Sequence, residues 1–110
     1  MSGLFEEREK AYEAKWAHDQ ETHFKVLAQR DRLLGQWAAD MMKIAGPGAH
    51  AYAEEMTNAG MRGKGHDPVF EKIQSDFRAA GIDCSDRTIH RKMEEFFKLA
   101  SYEIAGSAPD

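Results

Sequence analysis

The feature that most constrains the fold is a long stretch without proline, residues 5–43, in which Gly35 is the only glycine. At about 100° of turn per residue, its apolar side chains fall on one stripe of a helix. The members of this stripe are Phe5, Tyr12, Trp16, Leu27, Leu34, Ala38 and Met41. Gln20 and His23 lie on the same stripe and make its centre polar. The sequence therefore predicts one long helix whose apolar seam is interrupted in the middle.

The two halves of this helix differ in how much apolar surface they can bury. The second half is rich enough in apolar residues to be a core helix, with Leu27, Leu33, Leu34, Trp37, Met41 and Met42. The first half offers only three aromatic residues among Glu, Lys and Arg. A helix with so thin a seam is poorly held by its own domain and suits binding to another protein. The alternative is that this N-terminal arm folds back onto the rest of the chain.

Size and charge limit the classes of function. A chain of 110 residues predicts one domain with a modest core. The net charge is -4 at pH 7, and the basic residues form only short groups, such as Arg30-Asp31-Arg32 and Arg62-Gly63-Lys64. Nucleic-acid binding normally needs a one-sided positive face, so the composition argues against it.

The sequence also indicates a compartment. Cys84 is the only cysteine, which excludes a disulfide framework and fits a reducing environment. No window approaches the roughly 18 consecutive apolar residues of a membrane span, and the first residues have no apolar core for export. We therefore expect a cytoplasmic protein without direct membrane insertion.

Helix-breaking residues divide the rest of the chain. Gly46-Pro47 ends the long helix, and a short helix over residues 50–59 should end at Gly60. Residues 61–66 are typical of an exposed loop. Asp67-Pro68 is a strong helix start, with Asp as N-cap and Pro at the first helical position. The residues expected to face the core in these two helices are Tyr52, Ala53, Met56, Val69, Phe70, Ile73 and Phe77.

A last helix follows the glycine that ends the third. Gly81 should end the third helix, and Asp83 or Ser85 should cap the fourth. The core residues predicted for the fourth helix are Ile89, Met93, Phe96, Phe97, Ala100 and Ile104. The predicted fold class is therefore all-α: a small four-helix bundle with an N-terminal helical or partly disordered arm. The predicted division is an arm over residues 1–22, a bundle over 23–105 and a frayed tail over 106–110.

The histidines, the cysteine and the glycine-rich loop are the candidate chemical sites outside the arm. The five histidines lack metal-ligand spacing, since His18 and His23 are five residues apart and the other three lie in separate segments. Cys84 stands between Asp83 and Asp86, whose charges should raise the pKa of its thiol. Arg62 to Gly65 lacks the preceding strand and the spacing of a phosphate-binding loop.

The carboxylates of the arm are candidates for an acid/base pair. Glu6, Glu7, Glu9 and Glu13 alternate with Arg8, Lys10 and Lys15, which is typical of a solvated, charge-paired helix surface. We therefore expect neither a catalytic constellation nor a metal site, and no enzyme activity.

The same residues resemble the zeta-subunit family of bacterial F-type ATP synthase inhibitors. The family pattern stands here as Phe5, Arg8-Glu9 and Glu13-Ala14-Lys15-Trp16-Ala17-His18-Asp19, then Phe24-Lys25, Arg30, Leu33-Leu34-Gly35 and Trp37-Ala38-Ala39. Weaker agreement follows at Tyr52, Asp67, Val69, Lys72, Asp76, Ile89, Lys92 and Met93. Departures occur at Trp16, where the family usually has Phe, at Gln29 and Asp31, and in the loop from Arg62 to Gly65.

The resemblance implies a four-helix bundle whose N-terminal segment inhibits the synthase. That segment would enter the catalytic interface between the alpha and beta subunits of the synthase head, near gamma, and block rotation in the hydrolytic direction. The implied partner-binding residues are Phe5, Arg8, Glu9, Tyr12, Glu13, Lys15, Trp16, His18 and Asp19. No cofactor would be required; because some members of the family bind adenine nucleotides in the bundle, the resemblance also implies weak adenine-nucleotide binding as an option for this chain. The protein would lie at the inner membrane only through the synthase head.

Two other classes of function remain open at the level of sequence. One is a small helical domain, enzyme or nucleotide-binding, with a pocket between its helices. The other is a helix-in-groove adaptor for an unrelated partner.

Overall fold

The computed structural model describes the backbone of residues 2–62 and 67–106, and the side chains of residues 18–62 and 67–106. The described residues form four helices and no strand. The helices are α1 (Ser2–Met41), α2 (Pro47–Arg62), α3 (Pro68–Ala79) and α4 (Asp86–Ala105). Helix α1 is the central helix of the bundle, because α2 and α4 both pack along it. Helix α3 packs against both α2 and α4. The predicted all-α four-helix bundle is confirmed.

Capping interactions explain where α3 and α4 begin. The Asp67 carboxylate accepts hydrogen bonds from the backbone N–H groups of Val69 and Phe70, both at 3.2 Å. The Ser85 hydroxyl accepts one from Thr88 N–H at 3.2 Å, so Ser85 and not Asp83 is the N-cap of α4. Each bond satisfies a donor that has no partner inside the first helical turn.

Left-handed residues end α1 and α3. Gly81 has φ +73°, and the next N–H, that of Ile82, bonds Phe77 C=O at 2.8 Å. The same hydrogen-bond pattern ends α1, where Lys43 adopts φ +60° and Ile44 N–H bonds Ala39 C=O at 2.8 Å. A left-handed residue lets the chain turn back over the last carbonyls of a helix. The prediction that Gly81 ends α3 is confirmed.

The boundaries predicted for α2 are wrong at both ends. The helix begins at Pro47 rather than His50, because proline at the first helical position needs no N–H partner. It then continues through Gly60 to Arg62. Gly60 lies inside the helix opposite the Asp31 carboxylate of α1, where a side chain would collide with that group. The part of the predicted loop over residues 63–66 lies outside the described residues.

The core lies between α1 and the three shorter helices. Its buried members come from all four helices: Leu34, Ala38, Ala39, Tyr52, Met56, Val69, Ile73, Phe77, Ile89 and Met93. Two predicted core residues are wrong, since Met41 is 36% exposed and Ile104 is 42% exposed. Both occur in the last turn of a helix, Met41 in α1 and Ile104 in α4. The polar centre of the α1 seam is confirmed, because Gln20 and His23 are exposed.

A close approach of α1 and α2 depends on Gly35. A Cβ atom at that position would lie 2.6 Å from the Cα of Ala53 and 3.1 Å from the Cβ of Met56. Only glycine leaves room for the two helix backbones at this distance. This contact fixes how α2 crosses α1 and therefore which face of α1 is left for α4.

Candidate partner-binding arm

The residues predicted to bind a partner lie on the N-terminal part of α1. Helix α1 runs without a break from Ser2 to the core residues Leu34 and Ala38. Seven of the predicted partner-binding residues lie on α1 but have side chains outside the described set: Phe5, Arg8, Glu9, Tyr12, Glu13, Lys15 and Trp16. The division at residue 22 falls within α1 and stays a prediction, as does the fraying of the tail, which lies mostly outside the described residues.

His18 and Asp19 are the two predicted partner-binding residues whose side chains are described. Both are exposed and stand beside the last turn of α4. Together with Thr22, Lys25 and Glu103 they line an open cleft of about 580 Å³ between α1 and α4. The cleft contains charges of both signs, so it has no strong net preference for anions or cations. It marks the place where the packing of α4 against α1 ends.

Two contacts hold the end of α4 against α1 at this junction. The Gln29 amide donates a hydrogen bond to the Glu103 carboxylate at 2.8 Å. The rings of His23 and Phe97 meet edge to face, with centroids 6.4 Å apart. Within α4 itself, the buried Ser101 hydroxyl donates a hydrogen bond to the Phe97 carbonyl at 2.8 Å, one turn earlier in the helix. The hydrogen bond from Gln29 and the ring contact of His23 therefore hold the last turns of α4 against the part of α1 that leads into the arm.

Asp31 is a buried carboxylate that sequence reasoning did not place in the core. It is 3% exposed, and Nε and Nη2 of Arg30 donate to its Oδ1 at 2.9 and 2.8 Å. The pKa of the Asp31 carboxyl is raised, chiefly by burial and also by the charge of Asp67, although the charge and hydrogen bonds of Arg30 act to lower it. Burial without an Arg partner would be far more costly for an ionised carboxylate.

A second polar cluster joins α2 to α3. The Tyr52 hydroxyl donates a 2.6 Å hydrogen bond to the Asp76 carboxylate, which also pairs with Lys72 at 3.0 Å. The Lys72 ammonium lies 5.0 Å from the centre of the Tyr52 ring. Burial, the bond to Asp76 and the charge of Asp76 all raise the pKa of Tyr52, so the phenol stays protonated. The cluster is structural, because it fixes two core helices.

The histidines and the cysteine assemble no reactive group among the described residues. Within residues 18–62 and 67–106, no three His, Cys, Asp or Glu side chains lie close enough to hold a metal ion. His50 pairs with Glu54 at 3.3 Å on the surface, and His90 stacks on Phe70 with centroids 4.2 Å apart. Burial, together with the charges of the two neighbouring aspartates, raises the pKa of the Cys84 thiol, which opposes thiolate formation.

One cleft between helices bears on the alternative of a ligand-binding domain. It lies between α1 and α4, has a volume of about 410 Å³ and is open to solvent. Its lining is mixed: Leu27, Arg30, His90, Met93, Glu94 and Phe97. Arg30 is already engaged by Asp31, so its guanidinium has fewer donors for a ligand.

The features that sequence reasoning missed come from pairing between helices. Asp31 was seen as a departure from a family pattern, yet it occupies a buried position against Gly60 of α2. The signal available in the sequence was the pair itself, an acidic residue on the buried side of one helix and a glycine inside the next. Only knowledge of the helix crossing connects the two.

The fold defines a small all-α bundle built along one helix of 40 residues. Against known families, the model for ATPase inhibitor subunit zeta matches residues 1–103. The chain belongs to this family. Membership implies an ATPase inhibitor subunit associated with the ATP synthase, with a regulatory rather than a catalytic role. A search of curated proteins gave no match. In the part of the chain that the structure describes, no helix is long and apolar enough to span a bilayer.

Proposed function

We propose that the protein inhibits ATP hydrolysis by a bacterial F-type ATP synthase by inserting the N-terminal part of α1 between an alpha and a beta subunit. The observation that carries the proposal is the family match from residue 1 to residue 103, which includes the whole arm. The unbroken helix from Ser2 into the core supports it, because the arm and the bundle are then parts of one continuous helix. As a helix, residues 4–19 are about 24 Å long at about 1.5 Å per residue, enough to enter a subunit interface.

The arm has the composition of an interface element. Phe5, Tyr12 and Trp16 are its anchors, since aromatic residues dominate the energies of protein interfaces. The polar residues set register and orientation through charge complementarity: Arg8, Glu9, Glu13, Lys15, His18 and Asp19. The bundle stays outside the cleft and prevents the arm from passing through it.

Inhibition in one direction follows from differential binding to two states of the rotor. A cleft that closes on the arm during hydrolysis binds it more tightly, whereas a cleft that opens during synthesis releases it. The protein then lies at the inner membrane only through the head of the synthase, with the alpha, beta and gamma subunits as its neighbours.

The first experiment removes residues 2–19 and measures ATP hydrolysis by the purified cognate head. The described core begins at Val26, so the truncated protein should keep its helical circular dichroism and most of its melting transition. Inhibition should disappear. Full inhibition by the folded truncated protein would show that the arm is not the inhibitory element.

The second experiment tests the anchors one at a time. Trp16→Ala and Phe5→Ala should each raise the half-inhibitory concentration by about tenfold or more with a nearly unchanged melting curve. His50→Ala is the matched control, because His50 is exposed on α2. A large loss of stability without loss of inhibition would indicate instead that the arm packs on its own bundle.

Fluorescence gives an independent measurement of arm binding. Trp37 is half-buried against Phe77, with ring centroids 5.4 Å apart. In a Trp37→Phe variant, Trp16 becomes the only indole of the chain. Its emission should shift to the blue when the synthase head is added. An indole already shielded in the isolated protein would mean that inhibition needs a prior release step.

A further inference from the structure

Exposed apolar residues gather at the end of the bundle from which the arm leaves. The large apolar residues that are exposed in the described part of the chain are Phe24, Met41, Met61, Leu99, Tyr102 and Ile104. Phe24 and Met61 line one small cleft between α1 and the end of α2. Ile104 lies beside residues 18–25 of α1, and Leu99 and Tyr102 belong to the last two turns of α4. Met41 alone lies at the opposite end of α1.

Helix phase relates this end of the bundle to the arm. At about 100° per residue, positions 5, 12 and 16 all fall within about 20° of position 23 on an unbroken helix. His23 is in edge-to-face contact with Phe97 of α4. The anchor positions of the arm and helix α4 therefore lie on the same side of α1. A partner that covers the anchors must stand directly beyond the C-terminal end of α4.

We infer that the last turn of α4, centred on Ile104, is a second contact surface for the same partner that holds the arm. This inference rests on the proposed function, and the partner surface is the rim of the alpha/beta cleft in the synthase head. Ile104 offers an exposed apolar side chain surrounded by His18, Asp19 and Lys25. An apolar centre with a rim of mixed charge is typical of the surfaces that proteins use to bind each other.

The second contact strengthens inhibition because α1 joins it rigidly to the first. Once the arm has entered the cleft, the end of α4 is already held near the rim, so the second contact forms at a high effective concentration. Gln29 and Glu103 assist by fixing α4 against α1. The surface acts mainly on the rate at which the inhibitor leaves, since most differences in affinity among variants of one interface are differences in dissociation rate.

The test introduces a charge at the proposed contact and measures release of the full-length protein from the purified synthase head. Ile104→Glu should raise the half-inhibitory concentration by about fivefold or more, through faster dissociation. Met41→Glu is the control, because Met41 is similarly exposed but lies about 33 Å along α1 from Asp19 at about 1.5 Å per residue. Equal inhibition by the two variants would overturn the inference.

A second variant does not depend on the stability of α4. One alanine inserted after Gln20, in the exposed part of α1, rotates the arm by about 100° relative to the bundle but shifts it by only about 1.5 Å. The end of α4 then misses the rim, and inhibition should weaken by the same factor as in Ile104→Glu. Gln20→Ala is the control without rotation. An insertion variant that inhibits as well as Gln20→Ala would exclude a contact by the end of the bundle.

These outcomes separate the inference from the proposed function. If the unaltered chain does not inhibit the synthase head, the proposed function fails. If the unaltered chain inhibits and loses that activity without its arm, but the charge and insertion variants behave like their controls, only the second contact surface is wrong.

Discussion

Gly35→Ala tests the closest packing in the bundle, the approach of α1 to α2. Alanine has the higher helix propensity, so the substitution should stabilise an isolated helix by about 0.5–1 kcal/mol. In the folded protein the new methyl group would stand 2.6 Å from the Cα of Ala53, which is backbone and cannot rotate away. Ordinary contact needs roughly 3.5 Å or more between carbons, so the helices must separate by about 1 Å.

The size of the loss follows from the cost of overpacking. Forcing extra volume into a packed core costs typically about 1–3 kcal/mol, which exceeds the gain in propensity. We expect a net loss of about 1.5 kcal/mol. For a domain of this size the entropy of unfolding is about 0.2 kcal/mol/K, so the melting temperature should fall by about 7 °C.

The assay is thermal and urea unfolding followed by far-ultraviolet circular dichroism, with Gly48→Ala as the matched control. Gly48 is also helical, but a Cβ there would meet only the γ2 methyl group of Ile44, at 3.0 Å, which belongs to a side chain rather than to the backbone of another helix. This control should be neutral or slightly stabilising. A higher melting temperature for Gly35→Ala would refute the close approach of α1 and α2, because propensity alone would then decide the result.

Three further predictions concern buried groups. Tyr52→Phe removes the donor of a 2.6 Å bond to the Asp76 carboxylate and should lower the free energy of unfolding by about 1.5–3 kcal/mol in urea titrations; an unchanged midpoint would contradict that bond. Phe77→Ala leaves a cavity at a fully buried position and should lower the free energy of unfolding by about 3–5 kcal/mol. A loss below about 1 kcal/mol would show that Phe77 is not part of the core. Asp31→Asn tests the sign of a pKa shift. The folded carboxyl has a pKa above its unfolded value of 3.8, so ionisation destabilises the fold above the folded pKa, and that cost disappears as the pH falls towards 3.8. The stability of the unaltered chain relative to Asp31→Asn should therefore rise between pH 7 and pH 4, and a relative fall would show that Arg30 outweighs burial.

The sequence by itself determined the number of helices and both ends of α3, whereas α1 ends at Met41, before the predicted stop at Gly46-Pro47, and both ends of α2 were predicted wrongly. Asp67-Pro68 and Gly81 act through the backbone of their immediate neighbours, so their effect is readable from local spacing. The polar centre of the α1 seam was equally readable, because an amide and an imidazole on an apolar stripe lower the gain from burial. The resemblance over residues 5–39 also gave the family, which the match over residues 1–103 confirms.

Only the tertiary structure decided which residues the helices cover. Met41 and Ile104 fit the apolar stripes of their helices but stay exposed in the last turn of each helix. Gly60 reads as a helix end, yet its missing side chain makes room for Asp31 of another helix. Periodicity identifies the face of a helix that can be buried. How far along that face the burial extends depends on the lengths and crossing of the partner helices, and no local pattern contains those quantities.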